Sequence, residues 1–488
     1  MNLKVLIKII VSCLCAVVSS TAQSVSGLQA KLDKTVSASI FENANISFSV
    51  FDVEQRKEVV SHRSEKVLSP ASSFKLFTTL TALKNLGADY TFQTVLGHTG
   101  TIDSTGLLKG DLIVKGGGDP TLGSSRIAGN PDFKSIIKSM VAAIILKGIT
   151  CVQGQLIIDE SIFDSYPVAP SWQWNDLGNY YASGAWGLNV NENQYTIYFK
   201  DRGVIGTRPN IHSVSPIVKK LNLSNELLVD STHTGDQAYI FGGPYNYDKR
   251  IVGTIPQGAG TFSIKGSIPD PPYFFATYLK KALEEANIQV PSIQTSFRPI
   301  KNKLNQIATY PSPPLKEIVK KANFDSNNLY TEALIKILGK ETNGQGSGQN
   351  GLVAVKKLLR AYKVKVDHLN FNDGSGLSAR NLISAKAFAQ FLAGLSEDLS
   401  MKEITQYIPK AGISGTVRGM LTNSTARGNI WMKSGSMESI QSYTGYVNAT
   451  NRKWYSFSFI VNGYSEEYRT VRSIIEKLIE AIYLQPPS

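Results

Sequence analysis

Apolar positions recur along this chain at two spacings, and the spacing divides it into blocks. Residues 46–51 alternate as a strand. Beyond Pro70 and a run of small residues, Leu76, Phe77 and Leu80 share one face, which predicts a helix ending near Gly87. Phe92-Gln93-Thr94-Val95 and Asp111-Leu112-Ile113-Val114 alternate as strands, a helix is expected over 132–146, and a strand over 155–159. The stretch to about 272 is rich in Gly, Pro and Thr and is expected to be mainly β. Within it Trp172, Trp174, Tyr180, Tyr181 and Trp186 suit a ligand groove or, more often, a core. Helical spacing returns at 273–286, 314–338, 351–362 and 384–395, with strands near 429–432, 442–447 and 454–461. Over 466–483, Val471, Ile474, Ile475, Leu478, Ile479 and Ile482 form one stripe, as in an amphipathic helix packed on a sheet.

The first 22 residues break this pattern. Lys4 and Lys8 precede an apolar run to Val18, and Ser19-Ser20-Thr21-Ala22 follows, which predicts a secretory leader cleaved after Ala22. A membrane anchor would need about 20 unbroken apolar residues, and Lys8 interrupts the run. Ile10-Val11-Ser12-Cys13 offers a lipoprotein alternative, but the apolar stretch before Cys13 is short for one. Loss of the leader leaves Cys151 as a single cysteine, so an exported chain would rely on packing instead of disulfides. The net charge is +13, or +11 without the leader's two lysines. Its basic residues are scattered pairs such as Lys219-Lys220 and Lys320-Lys321, which argues against nucleic acid and suits a basic surface near anionic envelope polymers. At 488 residues there is room for two or three domains.

Candidate chemistry begins at Ser72. It falls in the first turn of the helix expected after Pro70, where free N–H groups and the helix dipole favour developing negative charge. Lys75 projects from the same side, so a hydroxyl and an amine stand together. This S-x-x-K pattern is common: Ser135 to Lys138 repeats it inside an ordinary amphipathic run with Ile136, Ile137 and Met140. Two further motifs distinguish Ser72. Ser326-Asn327-Asn328 opens the helical run that continues through Leu329, Leu334 and Ile337, and Lys433-Ser434-Gly435 lies on an expected strand. Alone, the first is a plain N-cap and the second unremarkable. In the order S-x-x-K, S-x-N, K-[ST]-G they are the acylation set of penicillin-binding proteins and serine β-lactamases.

With Pro70-Ala71-Ser72, Gly117-Gly118-Asp119-Pro120-Thr121-Leu122, Trp174-Asn175-Asp176, Ser312-Pro313-Pro314-Leu315, Asp373-Gly374-Ser375-Gly376-Leu377-Ser378 and Gly415-Thr416, the chain resembles the class C type-4 low-molecular-mass penicillin-binding proteins, a D-alanyl-D-alanine carboxypeptidase/endopeptidase family. The resemblance implies an α+β fold. It consists of a split β-lactamase-like transpeptidase domain, with an antiparallel sheet, helices on both faces and a helical subdomain, interrupted by β-rich insertions. The expected division is a leader at 1–22, a first catalytic part at 23–89, inserted domains at 90–295 and a second catalytic part at 296–488. Further implications are an acyl-enzyme on Ser72, Lys75 as general base with its pKa lowered by cationic Lys433 and partial burial, Ser326 as proton relay, and Asn328 as orienting amide. Lys433 and Ser434 would hold a terminal carboxylate, the backbone N–H groups of Ser72 and Ser436 would form the oxyanion hole, and Gly435 is implied with Ser434 and Ser436 in substrate binding. The implied partners are peptidoglycan stem peptides and β-lactams as covalent inhibitors, at the periplasm or envelope of a bacterium, with possible peripheral association with that envelope. No metal or other cofactor is called for.

Two positions depart from the family pattern. Ser434 replaces the commoner threonine and keeps its hydroxyl. After Ser378, Ala379 precedes Arg380 where many members place arginine at once. A His-dependent serine hydrolase is disfavoured because His62, His98, His212, His233 and His368 are scattered and no G-x-S-x-G elbow is present. A β-lactamase would share the acylation set but not so large an insert. An inert envelope binder would not need the Ser72–Lys75 pair.

Overall fold

The computed structural model describes residues 27–487; the leader expected at 1–22 lies outside them. A five-stranded antiparallel sheet forms the base of the fold, in the order Lys57–His62, Asn45–Asp52, Trp454–Asn462, Ile440–Asn448, Ile430–Met437. Its first and last strands come from opposite ends of the chain, so the sheet closes only after the long intervening sequence has folded back. Its two faces differ because alternate side chains point to opposite sides. One presents Ile46, Phe48, Val50, Tyr443 and Phe457, on which Leu28 and Leu32 of the first helix and Val471, Ile475 and Leu478 of the last helix (Tyr468–Leu484) are fully buried. Burial of each such side chain contributes roughly 1.5–3 kcal/mol. The other face presents small hydroxyl residues, among them Ser49, Thr444, Ser456 and Ser458, all buried. Helix Ala385–Leu395 sits there, with Ala389 and Ala393 packed on Phe51, and the Ser456 hydroxyl donates to Ala389 O at 2.7 Å.

A helical layer covers that second face: Lys75–Leu86, Leu315–Phe324, Asn328–Asn343 and Gly348–Ala361 share a core containing Leu76, Phe77, Leu80, Ile318, Leu334 and Val355. Phe77 stacks on Phe388 at 4.3 Å between centroids, which joins this layer to Ala385–Leu395. The helical stretch expected over 314–338 is two helices, the second opening at the Ser326-Asn327-Asn328 cap. The first ends at Phe324, Ser326 takes φ +56°, and Asn327 starts the next helix by accepting from Tyr330 N at 3.2 Å. The asparagine cap outcompetes helix continuation, as short polar side chains do at N-caps.

The intervening sequence has its own core, in which helices Phe133–Leu146 and Pro271–Glu285 pack beside a second five-stranded sheet. Its order is Ile293–Ser296, Leu156–Asp159, Leu112–Lys115, Gln93–His98, Asn305–Pro311. The sheet crosses the boundary expected at 295–296, since Asn305–Pro311 is its edge strand on Gln93–His98. A three-stranded and a four-stranded sheet follow within the region expected to be mainly β. Ser135 and Lys138 lie on the exposed side of Phe133–Leu146 while Ile136, Ile137 and Met140 are buried. Trp172 and Trp186 are buried, whereas Trp174 is 65% exposed against Phe241. Among the described residues no helix is long and apolar enough to cross a membrane.

Candidate active site

Pro70 opens a short 3₁₀ turn, Ala71–Phe74, that runs directly into helix Lys75–Leu86. Ala71 holds φ +44°, sparsely populated for a residue with a Cβ, and is fully buried. The tight turn places Ser72 and Lys75 side by side, with Lys75 Nζ 3.0 Å from Ser72 Oγ. The same amine donates to Asn328 Oδ1 at 2.5 Å and to Ser375 O at 2.7 Å. Asn328 is the first residue of its helix, and its amide in turn donates to Tyr181 O at 2.8 Å. Thus the break before Asn328 delivers a side chain to Lys75 that an uninterrupted helix would have aimed elsewhere.

Strand Ile430–Met437 is the edge of the base sheet and passes the Ser72 turn. Gly435 permits the approach: a Cβ there would stand 2.5 Å from Pro70 O and 2.8 Å from Ser72 N. Ser73 Oγ, beside the turn, donates to Lys433 O at 3.2 Å and shares a 2.8 Å hydrogen bond with Ser442 Oγ. Lys433 Nζ donates to Ser326 Oγ at 3.0 Å and to Ser434 O at 2.6 Å. Ser434 Oγ lies 2.8 Å from Thr416 Oγ1, at the mouth of the site. The three motifs therefore meet at one place: Lys75 joins Ser72 and Asn328, Lys433 joins Ser326, and the close approach of Gly435 to Ser72 N brings the two sets together, with Ser434 and Ser436 on either side of Gly435. The second S-x-x-K, in the other core, is not among them.

Burial dominates the electrostatics. Lys75 is fully buried, which lowers its pKa from 10.5 to about 7 against the opposing pull of Asp373 and Glu332. Of the two causes expected, burial is the one that lowers it, and the charge of Lys433 does not contribute. Lys433 is itself held well below its ordinary value, by burial and then by the charge of Lys75. Behind the lysines, burial and Asp373 push Glu332 up to about 8, and its carboxylate accepts from Gly374 N at 3.0 Å. Asp373 accepts from Gly376 N (2.8 Å), Ser378 N (2.6 Å), Asn381 Nδ2 (2.7 Å) and Trp172 Nε1 (2.8 Å). This cradle shapes the 373–378 loop, and with it the Ser375 carbonyl on Lys75. Glu332, Asp373, Trp172, Tyr181 and Thr416 were not among the expected site residues. Glu332 stands one helical turn after Asn328 and so faces the same way; Thr416 was marked only by its match within Gly415-Thr416. Arg380 is exposed, with its backbone carbonyl bonded to Asn370 and Asn372 side chains.

Residues 28–481 match the D-Ala-D-Ala carboxypeptidase 3 (S13) family. The chain belongs to this family. It is accordingly a serine-type D,D-peptidase, built as a penicillin-binding protein of the type-4 kind. A D-alanyl-D-alanine carboxypeptidase of Actinomadura sp. (strain R39) is 27% identical over 470 residues, covering 92% of this chain and 84% of the relative. Crystalline penicillin binding protein 4 (dacB) from Haemophilus influenzae superposes with a TM-score of 0.80 at 23% identity, covering 94% of this chain and 99% of that one. The same protein complexed with a β-lactam gives 0.76 at 20% identity, covering 94% and 99%. The family match thus spans both the base sheet and the sequence that intervenes between its strands.

Proposed function

We propose that this enzyme acylates Ser72 with the D-alanyl carbonyl of peptidoglycan stem peptides, releasing terminal D-alanine or opening D-alanyl cross-links. The contact set of Lys75 carries the reading. A neutral amine has two N–H bonds and one lone pair; Asn328 Oδ1 and Ser375 O take the two N–H bonds, and the lone pair is left for the Ser72 hydroxyl. With a pKa near 7, a large share of Lys75 is in that form at neutral pH.

In this mechanism Lys75 takes the Ser72 proton as Oγ attacks the carbonyl. The Ser72 and Ser436 N–H groups stabilise the oxyanion. The C–N bond then breaks, and the proton passes through Ser326, which Lys433 holds by a hydrogen bond, to the leaving nitrogen. Asn328 fixes Lys75. Lys433 and the Ser434 hydroxyl receive the substrate carboxylate, whose charge favours the protonated form of Lys433. Gly435 lets the strand edge lie close enough for a peptide to pair with it. Water hydrolyses the ester and regenerates Ser72. A β-lactam would enter by the same acylation and stop at the ester. Export by the 1–22 leader to the periplasm or envelope fits this substrate, and we propose that two catalytic parts flank an inserted part whose sheet runs on past 295 to Asn305–Pro311.

Labelling with a fluorescent penicillin tests the reading: wild type is labelled and Ser72→Ala is not. Equal labelling of both would remove Ser72 from its role, and no labelling of either would favour an inert binder.

A further inference from the structure

Beside the acylation centre lies an open cleft of about 860 Å³ whose lining includes immediate neighbours of that centre. Among them are Gly415 and Thr416, and Thr416 is the residue hydrogen-bonded to Ser434. Phe324 and Asp325, which lead directly into Ser326, also line it. The acyl half of a substrate must lie along Gly435-Ser436, where the oxyanion donors are. The leaving half must pass Ser326 and end its first carboxylate at Lys433, Ser434 and Thr416. The cleft therefore begins where that first carboxylate is held.

Its lining is cationic. Arg126, Lys320, Lys321, Arg418 and Arg472 face two acids, Glu317 and Asp325. Three of the five are partly neutralised: Arg126 pairs with Glu192 and Asp325, Lys321 with Asp325 at 3.1 Å, and Arg472 with Glu476 at 2.8 Å. Lys320 and Arg418 are exposed, and among the described residues neither makes an ion pair. Lys320 lies over the Phe324 ring, 5.9 Å from its centroid, so its charge is kept at the cleft wall.

A released D-alanine ends at its carboxylate and cannot extend into this cleft. The leaving group of a cross-link is a whole second stem peptide, which continues past the carboxylate anchor and carries further carboxylates. We propose that the Lys320–Arg418 cleft is the leaving-group subsite for that second, anionic stem peptide, which equips the enzyme for endopeptidase cleavage. The proposal rests on the acyl-enzyme reading above. Neither Lys320 nor Arg418 takes part in acylation itself.

The test compares the full chain with its Lys320→Glu/Arg418→Glu variant on three readouts: fluorescent-penicillin labelling, D-alanine release from a monomeric pentapeptide, and cleavage of a cross-linked dimeric muropeptide. Dimer cleavage is expected to fall by about tenfold or more in kcat/KM, with pentapeptide hydrolysis changed less than about twofold and labelling intact. Wild-type dimer cleavage should also weaken with added salt more steeply than pentapeptide hydrolysis, a measurement that needs no variant. Unchanged dimer cleavage in the variant, or equal loss on both substrates, would overturn the subsite while leaving acylation standing. Absence of labelling in wild type would overturn the acyl-enzyme reading itself.

Discussion

Trp172 Nε1 donates to Asp373 Oδ2 at 2.8 Å, so a tryptophan of the inserted sequence fastens the buried carboxylate behind Lys75. Both residues are more than nine-tenths buried. The bond ties the sequence between the two ends of the base sheet to the loop whose Ser375 carbonyl accepts from Lys75 Nζ. An insert that merely hung from the catalytic domain would have no reason to reach this carboxylate.

Trp172→Phe keeps most of the ring and removes the donor. A hydrogen bond to a charged group is worth about 1.5–3 kcal/mol, so stability in denaturant should fall by that order. Acylation by penicillin should slow several-fold, because the 373–378 loop loses one of its anchors. A normal acylation rate in a destabilised variant would show that the tie is structural only.

The S-x-x-K pair was legible because it is local: residues three apart in a helical turn meet whatever the rest of the chain does. The other contacts join residues far apart in sequence, Lys75 to Asn328 and Lys433 to Ser326, and neither spacing nor composition encodes such distances. Their convergence was foreseeable only through the order of the three motifs. The outlines of the strands and of the last helix followed from apolar periodicity, whereas the helix start at Ser326-Asn327-Asn328 followed from its capping residues, the apolar spacing over 315–343 being nearly continuous. Burial of Lys75 was expected to be partial and to act together with Lys433; only the packed structure reveals that it is complete and by itself lowers the pKa. Trp172 had been one aromatic among several suited to groove or core, with nothing local to single it out.

Thr416 and Ser434 share a 2.8 Å hydrogen bond between hydroxyls at the mouth of the site. If both face the substrate carboxylate, Thr416→Val removes one donor and leaves Ser434 free to rotate. The expected result is a several-fold rise in KM for a pentapeptide with a small change in kcat, as for lost ground-state binding. Steady-state kinetics of D-alanine release check this; a fall in kcat alone would place Thr416 in the chemical step instead.

Lys336 joins the helical layer to the insert. Its buried amine pairs with Asp164 at 3.0 Å and donates to Tyr166 O (2.6 Å) and Ala185 O (3.0 Å). Lys336→Met fills similar volume but strands two carbonyls and a carboxylate. Breaking a buried pair by removing one partner costs about 3–5 kcal/mol; the partial exposure of Asp164 should put this case at the lower end. Denaturant unfolding measures the loss. A variant as stable as wild type would mean that water satisfies all three acceptors.

Lys75 makes a prediction in two observables. Its pKa of about 7 in the folded chain lies below the ordinary 10.5, so its neutral, proton-accepting form grows as pH rises through 7. Acylation by penicillin should rise through that pH and level off above it. Lys75→Met should lose about 10²–10⁴-fold, the usual worth of a positioned base. Stability carries the same signature. Between about 7 and 10.5 the unfolded chain binds this proton and the folded chain does not, so Lys75 makes stability increase with pH across that window; below 7 its burial cost is present in full. Glu332, raised to about 8, acts with the opposite sign between its ordinary 4.5 and that value. The difference between wild type and Lys75→Met therefore isolates the lysine: the variant's advantage should be greatest below pH 7 and shrink by pH 9. A pH-independent difference, together with flat acylation from pH 6 to 9, would mean that Lys75 stays charged and that another group takes the Ser72 proton.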